Sequence, residues 1–203
     1  MNNFDLHTPT RILFGKGAIE KLREQIPAEA RVLITYGGGS VKKTGVLDQV
    51  LTALNGLDVL EFGGIEPNPS YETLMNAVKL AREEKVTFLL AVGGGSVLDG
   101  TKFIAAAAHY DADIDPWEIL ETYGSKIASA IPMGSVLTLP ATGSDPTKAR
   151  SYRGKPPATN ARLCLRTSSR SSRSSIRFIP IPCRRARSRT AWLTPSSIPS
   201  SST

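Results

Sequence analysis

Val86 to Lys102 reads VTFLLAVGGGSVLDGTK. Residues 87–92 are apolar or β-favouring without interruption, the pattern of a strand buried on both faces. The strand runs into Gly93, Gly94, Gly95 and Ser96, after which Val97, Ile104, Ala105 and Ala108 recur at helical spacing. Ser96 and Asp99 have the spacing of a capping box, with Asp where Glu or Gln is usual. A strand, a glycine loop and a helix start together point backbone N–H groups and the helix dipole at an anion. Three glycines also let a phosphate approach the backbone closely. A tight strand-to-helix connection with no ligand would read the same way. The motif is neither GxGxxG nor GxxxxGK[ST], so the rest of the chain must decide.

Outward from this stretch, strands and helices alternate. Residues 11–14 (RILF) predict a short strand. Residues 17–26 predict a helix with Ile19, Leu22 and Ile26 on one face, ended by Pro27. Residues 31–36 (RVLITY) predict a second buried strand, which runs into Gly37, Gly38, Gly39 and Ser40. A helix carrying Val46, Leu47, Val50, Leu51 and Leu54 follows, then a strand over 57–62 (LDVLEF). A loop over 63–70 contains Glu66-Pro67-Asn68-Pro69, and a helix over 71–84 places Leu74, Met75, Val78 and Ala81 on one side. Residues 136–139 (VLTL) predict a last strand, entering Pro140-Ala141-Thr142-Gly143-Ser144. This alternation predicts an α/β fold, a Rossmann-like parallel sheet flanked by helices, with ligands at the carboxyl ends of the strands. Three of those ends carry small or hydroxyl residues, which points to a dinucleotide crevice.

The loops divide the work by chemistry. Gly94, Gly95 and Ser96 suit a pyrophosphate, with Ser96 either capping the helix or donating to a phosphate. The second strand of a dinucleotide fold usually ends near an acid for the ribose hydroxyls. Here Gly37 to Ser40 stand there, with Lys42 and Lys43 behind, so a 2′-phosphate meets no carboxylate and NADP is favoured over NAD. Lys42 and Lys43 fit a solvated helix face equally well. Asp99 either complements the helix dipole or faces the crevice. Thr138 and Thr142 flank the last strand end. His7 and His109 have no neighbours that suggest a metal or a proton relay, and His109 is expected to end a helix.

The charge is divided unevenly. Of 203 residues with net +7, the part up to Asp145 holds 12 Lys/Arg against all 18 Asp/Glu, whereas 146–203 holds 13 Lys/Arg and no acid. The two cysteines, Cys164 and Cys183, both lie in the basic part and suggest no disulfide scaffold. No apolar run approaches the ~18 residues a membrane span needs, and the N-terminus does not read as a signal peptide. A cytoplasmic setting is expected.

PTRILFGKGAIEKL, AVGGGSVLDGTK and TLPATGSD together resemble the N-terminal domain of the iron-containing alcohol dehydrogenases, in particular the bacterial broad-specificity NADPH-dependent aldehyde reductase type. The resemblance covers residues 1–145. It implies an NADP(H)-binding α/β domain followed by an all-helical domain, whose Asp and three His hold zinc or iron against the oxygen of an aldehyde or alcohol. Carried over by position, Gly38, Ser40, Gly94, Gly95, Ser96, Thr138 and Thr142 would contact NADP, with Asn68 and Asp99 as further candidates. Gly37 to Ser40 look like the NADP-type form of a loop that bears Asp in NAD-using relatives. The resemblance also implies dimers or larger assemblies for intact members.

The resemblance ends at Asp145. Residues 146–203 contain no Asp, Glu or His, so none of the family's metal-ligand types stands there, and two thiols 19 residues apart make no metal motif. A basic tail that contacts nucleic acid non-specifically is one reading, and it would make the chain a nucleotide-binding module with a nucleic-acid-binding tail. Translation out of frame from about Asp145 is the other, favoured by the total loss of acids and by the break inside a domain. The sheet is then expected to be incomplete, with unpaired edges and exposed apolar patches. A disordered Arg/Ser/Pro-rich tail should follow, in which residues 176–182 (IRFIPIP) are too short and proline-broken to rebuild a core. Marginal stability, weak or no NADP binding and no dehydrogenase turnover follow from that reading.

Overall fold

The computed structural model describes residues 10–122, 124–139, 149–154, 159–164 and 176–179, the last three ranges as backbone strands. The strands are β1 (Arg11–Phe14), β2 (Arg31–Gly37), β3 (Asp58–Ile65), β4 (Phe88–Gly93), β5 (Met133–Leu137), β6 (Ala149–Gly154), β7 (Thr159–Cys164) and β8 (Ile176–Ile179). The helices are α1 (Ser40–Lys43), α2 (Val46–Ala53), α3 (Tyr71–Glu83), α4 (Gly95–Ala108) and α5 (Glu118–Glu121). Six strands form one sheet in the order β1-β8-β5-β4-β2-β3, every pair of it parallel. β6 and β7 form a separate antiparallel pair.

The central strands are apolar at nearly every position because both faces are covered. Val32, Ile34, Tyr36, Phe88, Leu90, Val92 and Val136 pack under α1, α2 and the 3-10 segment Ala18–Gln25. Leu33, Leu89, Ala91, Met133 and Leu137 pack under α3, α4 and α5. Each buried Leu, Ile or Phe contributes about 1.5–3 kcal/mol. α4 begins at the carboxyl end of β4 and runs back along the sheet. At its far end Arg82 of α3 donates to the carbonyls of Ala107 (2.8 Å), Ala108 (3.3 Å) and Tyr110 (2.8 Å). Ala107 and Ala108 belong to the last turn of α4, whose carbonyls lack intrahelical partners, and Ala107 also accepts from the Tyr110 N–H at 3.1 Å, so the two helices are tied where α4 ends. His109 is the C-cap of α4, as its position in the sequence suggests.

Several boundaries differ from those the sequence predicts. The amphipathic stretch over 17–26 is a 3-10 segment rather than an α-helix. β3 runs on through Gly63 and Gly64 to Ile65, where a loop is expected. A Cβ at Gly63 would lie 2.5 Å from the Tyr36 ring, so this strand position takes glycine. β5 starts at Met133, earlier than expected, and ends at Leu137, where the Thr138 N–H still donates to the Gly93 carbonyl at 2.9 Å.

Three strands fall in the stretch where composition predicts disorder, and the other residues of that stretch lie outside the described ones. The gap expected beside β5 is bridged: β8 pairs with β5 through Gly134, Ser135 and Val136, and with all four residues of β1. Two open strand edges offer rows of unpaired N–H and C=O groups, and Ile-Arg-Phe-Ile has the β-branched and aromatic content to pair with them. Ile12 and Phe14 of β1 remain exposed, at 57% and 70%. No helix among the described residues is long and apolar enough to cross a membrane.

Candidate dinucleotide crevice

Parallel order brings the carboxyl ends of β2, β3, β4 and β5 to one rim. There Gly37 pairs with Ile65 and Gly93 with Leu137, and the Thr138–Gly93 hydrogen bond ties the loops after β4 and β5 together. Gly37 to Ser40, Gly94 to Ser96 and Thr138 therefore share this edge. Asp99 lies half-buried one turn into α4. Thr142 and His7 lie outside the described residues. His109 sits at the opposite end of α4, with Nδ1 3.3 Å from the Ser129 Oγ.

The start of α4 differs from that of α3. Ser70 caps α3, accepting from the Thr73 N–H at 3.3 Å. α4 begins directly at Gly95, its N-cap is Gly94, and no side chain caps it. The expected Ser96–Asp99 capping box is thus absent. β4 continues through Gly93 and leaves no extended residue between strand and helix except Gly94, so Ser96 falls inside the first turn instead of ahead of it. The first backbone N–H groups of α4 are left facing the rim, where the helix end carries partial positive charge. A Cβ added at Gly38, Gly39 or Gly94 would meet nothing within 4 Å, so these glycines border open space. Gly37 and Gly93 are glycines for the opposite reason. A Cβ on Gly37 would lie 3.0 Å from the Ile65 carbonyl oxygen, and one on Gly93 would lie 2.9 Å from the Val97 Cγ2.

Beside the β2 loop, Lys42 folds over the Tyr36 ring, its Nζ 4.9 Å from the centroid. The Tyr36 hydroxyl donates to Glu61 Oε2 at 3.1 Å. Contact with the Tyr36 hydroxyl raises the pKa of Lys42, a lysine that is cationic beside Gly37 to Ser40. Sequence periodicity did not separate Lys42 from Lys43; the ring contact singles out Lys42.

Asn68 occupies the loop after β3 in a left-handed conformation, φ 52°. A clamp on Glu66 shapes this loop. Its Oε1 accepts from the Ser70 N–H at 2.9 Å and from the Thr73 hydroxyl at 3.2 Å, while the Ser70 hydroxyl donates to that of Thr73 at 2.9 Å. Burial pushes the Glu66 carboxyl up, but the hydrogen bonds from Ser70 and Thr73 outweigh it and hold the group below the ordinary 4.5. A carboxyl lowered on folding stabilises the protein above its unfolded-state pKa, and that contribution disappears as pH falls through the folded value. Glu66→Gln is therefore expected to cost about 1 kcal/mol at neutral pH and progressively less as pH falls through the lowered folded-state value. Urea melts of the two proteins across this range should converge on the acid side, and parallel curves would refute the clamp.

The comparisons with known proteins agree with this geometry. Residues 9–152 match the family described as iron-containing alcohol dehydrogenase. The chain belongs to the iron-containing alcohol dehydrogenase family. Over 145 residues it is 84% identical to the NADPH-dependent aldehyde reductase YqhD of Escherichia coli (strain K12), a match that covers 71% of this chain and 38% of that protein. It is 47% identical over 149 residues to NADP-dependent alcohol dehydrogenase 3 of Entamoeba histolytica, with the same coverage. The chain thus spans little more than a third of the length of these relatives. The solved substrate- and cofactor-free form of E. coli YqhD superposes with a TM-score of 0.78 at 67% identity, over 88% of this chain and 44% of that one. A Thermotoga maritima NADH-dependent butanol dehydrogenase A superposes with a TM-score of 0.78 at 36% identity, over 89% and 44%. Structural overlap with YqhD reaches further along the chain than the sequence match, and identity falls from 84% to 67% as it does so.

The family's metal is a separate matter. Among the described residues no group of three or more His, Cys, Asp or Glu is placed to hold an ion, and 146–203 contain no Asp, Glu or His. The residues present do not fit the zinc or iron that the resemblance implies, and no reaction step is assigned to a metal here.

Proposed function

We propose that residues 1–145 form the NADP(H)-binding part of an oxidoreductase that interconverts aldehydes and primary alcohols by hydride transfer. The observation that carries this reading is the uncapped start of α4 beside glycines that open onto the same rim. Backbone N–H groups of Gly95 and Ser96 would hold the pyrophosphate, with Gly94 allowing its approach. Gly37 to Ser40, with Lys42 at hand, would take the 2′-phosphate and its ribose. Asn68, Asp99, Thr138 and Thr142 would line the remainder of the crevice. When bound, the nicotinamide supplies or accepts the hydride; the chain's part is to bind and orient it.

Charge at the β2 loop provides the test. Gly38 borders open space and needs no left-handed backbone, so Gly38→Asp adds a carboxylate without strain. At ~6 Å from a 2′-phosphate, in a partly screened site, repulsion amounts to about 1–3 kcal/mol. NADPH affinity, followed by cofactor fluorescence or ligand-observed NMR, should fall about 10- to 100-fold, with NADH binding and the melting temperature nearly unchanged. A Gly38→Asp protein that still prefers NADPH would count against this cofactor and this loop.

Residues 146–203 are, in the same reading, translated out of frame. Support comes from a close sequence match that covers 71% of the chain and from the absence of acids in residues 146–203. The gene's nucleotide sequence decides it: another frame past codon 145 should encode further strands and an Asp-x-x-x-His helix. If no frame does, the basic tail belongs to the protein, and binding to nucleic acid becomes its expected role.

A further inference from the structure

Thr35, Thr101 and Ser135 are the buried polar residues among those described, set in a mostly apolar core. Thr35 of β2 and Thr101 of α4 are both fully buried, and their Oγ1 atoms are 2.6 Å apart. Thr101 Oγ1 also donates to the Val97 carbonyl at 2.7 Å. The Thr101 proton is thereby used, so Thr35 must donate to Thr101, the Leu90 carbonyl at 3.5 Å being its weaker alternative. The result is a directed chain from β2 through Thr101 to the first turn of α4.

That turn is where the two glycine loops meet. Val97 Cγ2 lies 3.5 Å from where a Gly37 Cβ would be and 2.9 Å from where a Gly93 Cβ would be. Its side chain is thus wedged between the ends of β2 and β4, while its carbonyl is held by Thr101. Valine at both threonine positions would fill nearly the same volume with no hydroxyl to satisfy, and a core selected only for packing has no use for the polar pair. Buried, fully satisfied polar links specify one arrangement of the elements they join.

We propose that Thr35 and Thr101 are positioning residues that set the loop after β2 against the start of α4, so that both ends of a dinucleotide engage together. This rests on the NADP(H) reading above. Neither threonine touches the ligand; each acts through Val97 and the two glycine loops.

The test is the Thr35→Val/Thr101→Val double variant, which leaves no orphaned hydroxyl and should melt close to the wild type. Its affinities for NADPH, for 2′,5′-ADP and for inorganic pyrophosphate are compared with those of the wild type. NADPH should weaken about 10-fold, within the usual range for coupled sites, while each fragment binds as before. Thr35→Ser, which keeps the hydroxyl, should bind NADPH like the wild type, and Thr35→Val should not. Unchanged NADPH affinity in the double variant overturns the inference, as does a parallel loss of NADPH and both fragments. Should the double variant fail to fold, equal NADPH affinity in Thr35→Ser and Thr35→Val overturns it. A wild-type chain that binds neither NADPH nor a fragment removes the cofactor reading itself, and the positioning role with it.

Discussion

Mixed with NADPH, a short-chain aldehyde and added zinc or iron, this chain is expected to oxidise no NADPH beyond the background of the cofactor alone. In the family that it belongs to, the resemblance assigns polarisation of the substrate oxygen to a metal on an Asp and three His, an effect usually worth several kcal/mol. After Asp145 those residue types do not occur. His109 is no replacement. It caps the far end of α4, and a 14-residue helix puts it about 21 Å from the rim where that helix begins. Cofactor binding is measured alongside, so that a silent assay is not mistaken for failure to bind. Turnover at rates typical of the intact relatives would refute both the assignment of the tail and the proposed division of labour.

Phe103→Ala is expected to leave the chain largely unfolded at 37 °C. Phe103 is fully buried and the largest such side chain of the described core. It meets Tyr71 edge-on, with ring centroids 5.8 Å apart, and Tyr71 meets Trp117 in the same way at 5.1 Å. The Tyr71 hydroxyl donates to Asp115, which fixes the middle ring of the three. Phe103 therefore joins α4 to α3 and to the segment leading into α5. Removing such a ring costs about 3–5 kcal/mol, against a total of about 5–15 kcal/mol for an intact domain. Phe103→Leu should cost under about 1.5 kcal/mol if the neighbours close in. Urea unfolding followed by far-UV circular dichroism separates the two, and equal midpoints would show that the aromatic row is not a stabilising unit.

The parts of this fold that could be read from the sequence are those specified locally. Largely apolar runs at 31–36 and 87–92 lie under helices on both faces, and a glycine cluster follows each at the rim. The parts that could not be read depend on partners distant in the chain. Ser96 has the right spacing for a cap, yet the length of β4 decides that it stands within the helix. Gly63 reads as a loop glycine until the Tyr36 ring is seen against it in the strand. Thr35 is the one polar residue within VLITY, apart from the tyrosine hydroxyl, a hint that cannot be interpreted until Thr101 is seen beside it, 66 positions later. Lys42 and Lys43 look alike until one of them lies over a ring.

The pairing of β8 bears on how such a chain behaves among others. A strand slot flanked by β1 and β5 is filled here by four residues held through backbone hydrogen bonds. Backbone pairing is largely indifferent to side chains, so the host is defined by its two walls and the guest hardly at all. Any extended segment of modest β-preference that reaches the slot competes for it, whether from the same tail, from another copy or from a nascent chain nearby. Solubility would then depend on how often β8 leaves its place, making the lifetime of one short strand the boundary between a lone molecule and a precipitate.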